Sequence, residues 1–108
     1  MTESEFNQKV DDILIQIEDA IDQSGADIDY DSAGGVLTLT FEDDSKIIIN
    51  RQTPLKQIWL ATRGGGFHFD YNTEKNQWQL ENDTLEFFDA LSQHSSAQAG
   101  TNIELLAN

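Results

Sequence analysis

The 108-residue sequence predicts an α+β protein, a two-layer α/β sandwich in α-β6-α order with an antiparallel sheet and both helices on one face. Three observations carry that prediction. Apolar residues near the N-terminus recur on a helical period, the period changes to two between Asp27 and Leu80, and a second helical pattern follows. The breaks between the alternating stretches are too short for a helical crossover, so the strands form a meander. Two amphipathic helices cover only one face, which leaves alternate residues on the other face to meet solvent or a partner.

The first helix is written by Phe6, Val10, Ile13, Leu14, Ile17 and Ile21, which line one stripe. Thr2 and Glu5 form a capping-box pattern, Met1 and Phe6 flank it as a hydrophobic staple would, and Gly25 is the natural stop. The predicted helix spans about 3–23. In the strands, Ile28 and Tyr30 alternate with Asp27, Asp29 and Asp31, and Leu37, Leu39 and Phe41 with Val36, Thr38 and Thr40. Lys46 to Asn50 is a β-branched run of three isoleucines. Ile58 and Leu60 then alternate with Gln57, Trp59 and Ala61, Phe67, Phe69 and Tyr71 with His68 and Asp70, and Trp78 and Leu80 with Gln77 and Gln79. Asp83 as N-cap with Glu86 at the third helical position opens the second helix, Leu85, Phe88 and Leu91 give its stripe, and Gly100 closes it. The tail residues Ile103, Leu105 and Leu106 are too apolar for water and are expected in the groove between the helices. Residues 1–108 read as a single domain, without repeat or linker.

Composition excludes several functions. Apolar residues make up 38% of the chain, too many for a disordered polymer. No apolar run approaches the roughly 20 residues of a membrane span, and no signal-peptide pattern is present. Without cysteine there is no disulfide, thiolate nucleophile or thiolate metal ligand, and a reducing cytoplasm is the default location. Twenty acids against six bases, a net charge of −14, argue against nucleic acid or an anionic membrane as partner and leave cations or basic protein surfaces. The charge is uneven: residues 1–31 hold ten acids and only Lys9.

Conventional catalytic sets are nearly absent. Gly64–Gly66 lacks the Lys-Ser/Thr of a phosphate loop and reads as a flexible turn. His68 and His94 lie on different elements and read as surface residues, and no nucleophile elbow or Glu-x-x-His pair occurs. Asp27-x-Asp29-x-Asp31 opens like a calcium loop, but Ser32 stands where the loop needs Gly and Thr38 where it needs Glu. What remains is the acidic surface of the first helix, where Asp11, Glu18 and Asp22 stack on one face and Asp12 and Asp19 run beside them. If Asp27, Asp29 and Asp31 follow along the neighbouring edge strand, at least eight carboxylates share one ridge. A solvated, solubilising face accounts for such charge. So does a cation site, since carboxylate oxygens are hard ligands for iron, manganese, calcium or magnesium, and an open site of this kind binds weakly and with little selectivity.

Trp59 is the second anomaly. Ile58 and Leu60 claim the core side, which puts the indole on the uncovered face among Thr38, Thr40, Asn50, Gln57, His68 and Gln79, a candidate anchor for a protein partner. The opposite phase would bury it.

The α-β6-α order, the acidic first helix, Gly34-Gly-Val-Leu-Thr-Leu-Thr-Phe41 and above all Ile47-Ile-Ile-Asn-Arg-Gln-Thr-Pro-Leu-Lys-Gln-Ile-Trp-Leu-Ala61 resemble the frataxin family in its bacterial form, over essentially the whole chain. The resemblance implies a non-enzymatic, iron-binding accessory protein of iron–sulfur cluster assembly. It implies weak binding of Fe2+ and Fe3+ on the acidic ridge, with other divalent or trivalent cations able to substitute. The implied partners are a cysteine desulfurase and its scaffold protein. It further implies a cytoplasmic monomer, with iron-driven oligomerisation left open, and the lack of a transit segment agrees with a bacterial member. By position, Glu18, Asp19, Asp22, Asp27 and Asp29 fall on the family's ridge, with Asp31 continuing the strand row and Glu3 and Asp11 near the ridge's start. Asn50, Gln52 and Trp59 fall on the sheet surface used for partner contacts. Asn7 departs from the histidine of some relatives, which removes a nitrogen ligand and leaves carboxylate sites untouched. A generic acidic cation-binding or protein-interaction module, without an iron-specific role, is the alternative.

Overall fold

The computed structural model describes residues 1–107. Helix α1 spans Glu3–Ser24 and begins where its caps require. The Glu5 amide donates to Thr2 Oγ1 and the Thr2 amide to Glu5 Oε1, each at 3.1 Å. These bonds satisfy two of the orphan donors at a helix start and hold the Glu5 carboxyl below its ordinary range. Gly25 ends the helix in the left-handed region at φ 70°, where a side chain would be strained.

Six strands follow: β1 (Ile28–Ala33), β2 (Val36–Phe41), β3 (Lys46–Gln52), β4 (Gln57–Thr62), β5 (Gly65–Asn72) and β6 (Gln77–Leu80). They form one antiparallel sheet in sequential order, the meander that short connections dictate. A 3-10 turn at Thr53–Leu55, built on Pro54, joins β3 to β4. The pleat sorts the side chains, and Ile28, Leu37, Leu39, Phe41, Ile47, Ile49, Ile58, Leu60, Phe69 and Trp78 face the helices and are buried. Phe6, Val10, Ile13, Leu14, Ile17 and Ile21 of α1 close over them, with Phe6 meeting Trp78 edge to face at 5.9 Å. Among the described residues no helix is long and apolar enough to cross a membrane.

The second helix departs from its sequence pattern. Helix α2 spans Phe87–Ala99 with Glu86, not Asp83, as its N-cap, through the Phe88 amide to Glu86 Oε2 at 2.9 Å. Leu85 therefore lies outside the helix, and Phe87 joins Phe88 and Leu91 in the core. The cause is tertiary. Glu86 pairs with Gln79 in an isolated bridge and the Leu80 amide donates to the Leu85 carbonyl, so sheet pairing holds the chain extended past the Asp83 signal. Asp83 instead accepts the amides of Thr84 and Leu85 and stabilises the turn.

The tail runs back along α2 and is clamped by two serines. Ser96 Oγ donates to the Ile103 carbonyl at 3.0 Å and accepts from the Ile103 amide at 2.8 Å. Ser92 Oγ does the same for Leu105, at 3.2 and 2.9 Å. Ile103 and Leu105 are buried, as expected, but Leu106 is 65% exposed because the extended tail turns alternate residues outward. Gln98 ties the far end of α2 to the sheet: its Nε2 donates to Ser45 Oγ at 2.9 Å and its Oε1 accepts from the Arg63 amide at 2.9 Å.

Candidate functional site

The acidic surface does not form one continuous row of eight. Ile28 and Tyr30 point to the helix side of β1, opposite Phe41 and Leu39, so Asp29 and Asp31 point to the open face, opposite Thr40 and Thr38. Asp27 stands one step ahead of the strand, beside Glu42, and raises the Glu42 pKa by sharing a hydrogen bond and by repulsion. Asp27, Asp29 and Asp31 therefore lie around the edge strand from the helix carboxylates. Asp11 leaves the row for a different reason. Arg51, near the end of the interior strand β3, reaches across to the helix, donating from Nη2 to Asp11 Oδ1 at 2.6 Å and from Nη1 to Asn7 Oδ1 at 3.0 Å. Glu3 stands exposed in the first turn of α1.

Glu18, Asp19 and Asp22 remain together near the C-terminal end of α1. The Tyr30 hydroxyl donates to both Asp22 oxygens, at 2.9 and 3.0 Å. That bond, with the field of Glu18 and Asp19, raises the Tyr30 pKa. No basic residue pairs with these three among the described residues, since the two ion pairs there are Arg51–Asp11 and Arg63–Asp43. The last turn of α1 also carries no basic side chain to offset the negative end of the helix dipole. Among the described residues no three His, Cys, Asp or Glu side chains are grouped to hold a metal ion. The donor set suits a cation that keeps much of its water and takes one or two carboxylates at a time.

The Asp27–Glu42 pair gives a test of this self-repulsion. With its pKa raised above the ordinary 4.5, Glu42 favours the folded state below that pH and loses the advantage as pH rises through the folded value. Glu42→Gln is therefore expected to raise the melting temperature at neutral pH, with the gain closing as the pH falls below 4.5. Melting curves across that range check it, and a variant no more stable at neutral pH shows that the pair is not a repulsive contact.

The open face carries the second feature. Asn50, Trp59 and His68 lie side by side across β3, β4 and β5, and Gln52, Gln57 and Asp70 form the next row. Trp59 is half-buried and outside the core cluster, on the open face as its phase predicts. Its indole stacks on His68 with centroids 4.2 Å apart and planes 11° from parallel, and Nε1 donates to Gln57 Oε1 at 3.0 Å. His68 is thus a surface residue of the open face, beside Trp59 as its position predicts, and forms a stacked platform with the indole. His94 packs on Phe67 at 4.6 Å, where burial lowers its pKa. Gln57, 7% exposed, emerges as a member of the site; the signal for it was its place two residues before Trp59, on the same strand face.

The fold is of the two-layer α+β class, with carboxylates that lack basic partners among the described residues on its first helix and a stacked aromatic pair on the uncovered face of its sheet. The family model described as a frataxin-like domain matches residues 1–101. The chain is 49% identical over 104 residues to the iron-sulfur cluster assembly protein CyaY from each of two strains of Vibrio vulnificus, covering 96% of this chain and 98% of theirs. Its structure superposes on the solved frataxin from Psychromonas ingrahamii with a TM-score of 0.88 at 43% identity, over 98% of this chain and 99% of that one. Against yeast frataxin the TM-score is 0.62 at 28% identity, over 89% and 80% of the two chains. The chain belongs to the frataxin family.

Proposed function

We propose that this protein is a non-enzymatic accessory factor of iron–sulfur cluster assembly, acting in the cytoplasm as one domain. It takes up Fe2+ and Fe3+ weakly on Glu18, Asp19 and Asp22. Its open sheet face, with Asn50, Gln52 and Trp59, docks on the complex of a cysteine desulfurase and its scaffold protein and tunes its output. The observation that carries this reading is the separation of two surfaces: carboxylates without basic partners on α1, and a stacked aromatic pair on the uncovered face. The name shared by the Vibrio relatives supports the pathway. Asp27, Asp29 and Asp31 act as secondary carboxylates around the edge, and Glu3 and Asp11 contribute little, Asp11 being held by Arg51.

The test is an anaerobic titration with ferrous iron, followed through the amide resonances of the full chain. Resonances of the C-terminal half of α1 and of β1 are expected to broaden first. Glu18→Gln with Asp22→Asn is expected to weaken uptake several-fold, because each retained amide oxygen is a poorer ligand than a carboxylate. Uptake unchanged in that double variant, or broadening confined to another surface, overturns the assignment of iron to α1.

A further inference from the structure

Gln57 stands at the centre of a polar chain that ends on the docking tryptophan. Its Nε2 donates to Asp70 Oδ1 at 3.2 Å and also to the Glu81 carboxylate, while its Oε1 accepts the indole N–H of Trp59. The register makes this possible, because Gln57 lies directly opposite Asp70 on β5 and shares its strand face with Trp59. Turning the amide over would set its oxygen against two carboxylates, so the network permits one orientation only. Both N–H groups given to carboxylates also polarise the amide and make its oxygen a stronger acceptor for the indole. His68 holds one face of the ring, so the side chain is fixed by a hydrogen bond at its edge and a stack on its face.

We propose that Gln57 is a positioning residue for docking: clamped by Asp70 and Glu81, it locks the Trp59 indole in its binding orientation before a partner arrives. The proposal rests on the docking reading above. Pre-ordering matters because a side chain left free in the unbound protein must be immobilised on association, which weakens affinity. The clamp also shapes specificity. With its only donor satisfied internally, the indole offers a partner its ring face and edge, which suit an apolar or cationic group and not a hydrogen-bond acceptor.

The test uses the full chain. Gln57→Met keeps the side-chain length and loses both ends of the amide. The Trp59 Nε1–H resonance is expected to move upfield and exchange faster with water. Affinity for the cysteine desulfurase–scaffold complex is expected to fall about 3- to 10-fold, the range set by ordering one interface side chain. In a Trp59→Phe background, which has no indole N–H to hold, the same substitution is expected to change affinity by less than about 2-fold. A folded Gln57→Met protein with the wild-type indole resonance and exchange rate overturns the proposal. So does equal weakening in both backgrounds, which would make Gln57 a direct contact. If Gln57→Met does not fold, Asp70→Asn with Glu81→Gln removes the clamping charges at constant volume and is read by the same resonance. Normal docking by Trp59→Ala would overturn the docking reading and with it the clamp's role there, whereas the indole resonance, needing no partner, judges the clamp itself.

Discussion

Truncation after Gly100 is expected to lower the unfolding free energy by at least ~2 kcal/mol, since it strips well-buried aliphatic side chains from the core. Ile103 is 7% exposed and Leu105 1%, and both belong to the same cluster as the helices and sheet. Their loss also exposes the apolar residues they cover on the outer side of the molecule. Ser92 and Ser96, each bonded to both the amide and the carbonyl of a tail residue, would turn to water. That exchange is nearly neutral, so the apolar term dominates. The hydrogen bonds are tested separately: Ser92→Ala or Ser96→Ala in the full chain leaves tail carbonyls and amides without their partner and is expected to destabilise by about 1 kcal/mol each. Urea midpoints read both experiments. A truncated chain with an unchanged midpoint would show that the tail is frayed in solution and that α2 needs no cover.

What the sequence made legible here follows from the range of the forces involved. Helix α1 was readable to within a residue or so because its signals are local: the Thr2–Glu5 box, the apolar stripe and Gly25 lie within the helix or against its ends. The strands were readable because short turns and a two-residue period leave few ways to pair. How the strand aspartates sit relative to the helix carboxylates is set by the same period. Once Ile28 faces the core, Tyr30 must share its side and Asp29 and Asp31 must take the other. Arg51 follows the same parity, two residues past the buried Ile49, and this sends its guanidinium toward Asp11 on α1. The start of α2 could not be read locally. Its capping box at Asp83 is a genuine turn signal, overridden by the pairing of Gln79 with Glu86 and of Leu80 with Leu85. The serine clamp on the tail depends on where a segment without regular structure crosses a helix, and spacing alone does not reveal that.

Trp59→Ala is expected to weaken docking on the desulfurase–scaffold complex by ~2 kcal/mol or more, as truncation of a central aromatic anchor does. The physical case rests on the surroundings of the indole. It is half-buried on a rigid central strand, stacked on His68, edged by Asn50 and bonded to Gln57, so it needs no ordering when a partner covers it. The substitution is expected to leave iron uptake unchanged, because an indole offers no hard ligand and the carboxylates of α1 lie on the opposite side of the sheet. Glu18→Gln with Asp22→Asn should do the reverse, reducing iron uptake and the salt-dependent part of association while sparing contacts made by the sheet. Two titrations on each variant separate the surfaces, one with ferrous iron and one with the complex at two ionic strengths. The fold is checked first through the dispersion of the amide resonances, since Trp59 is partly buried and a loosened β4 would imitate a docking defect. A folded Trp59→Ala protein that binds the complex with unchanged affinity would place recognition on the acidic helix alone. In that case the loss of affinity on raising the salt should account for essentially all the binding free energy, which the same titrations measure.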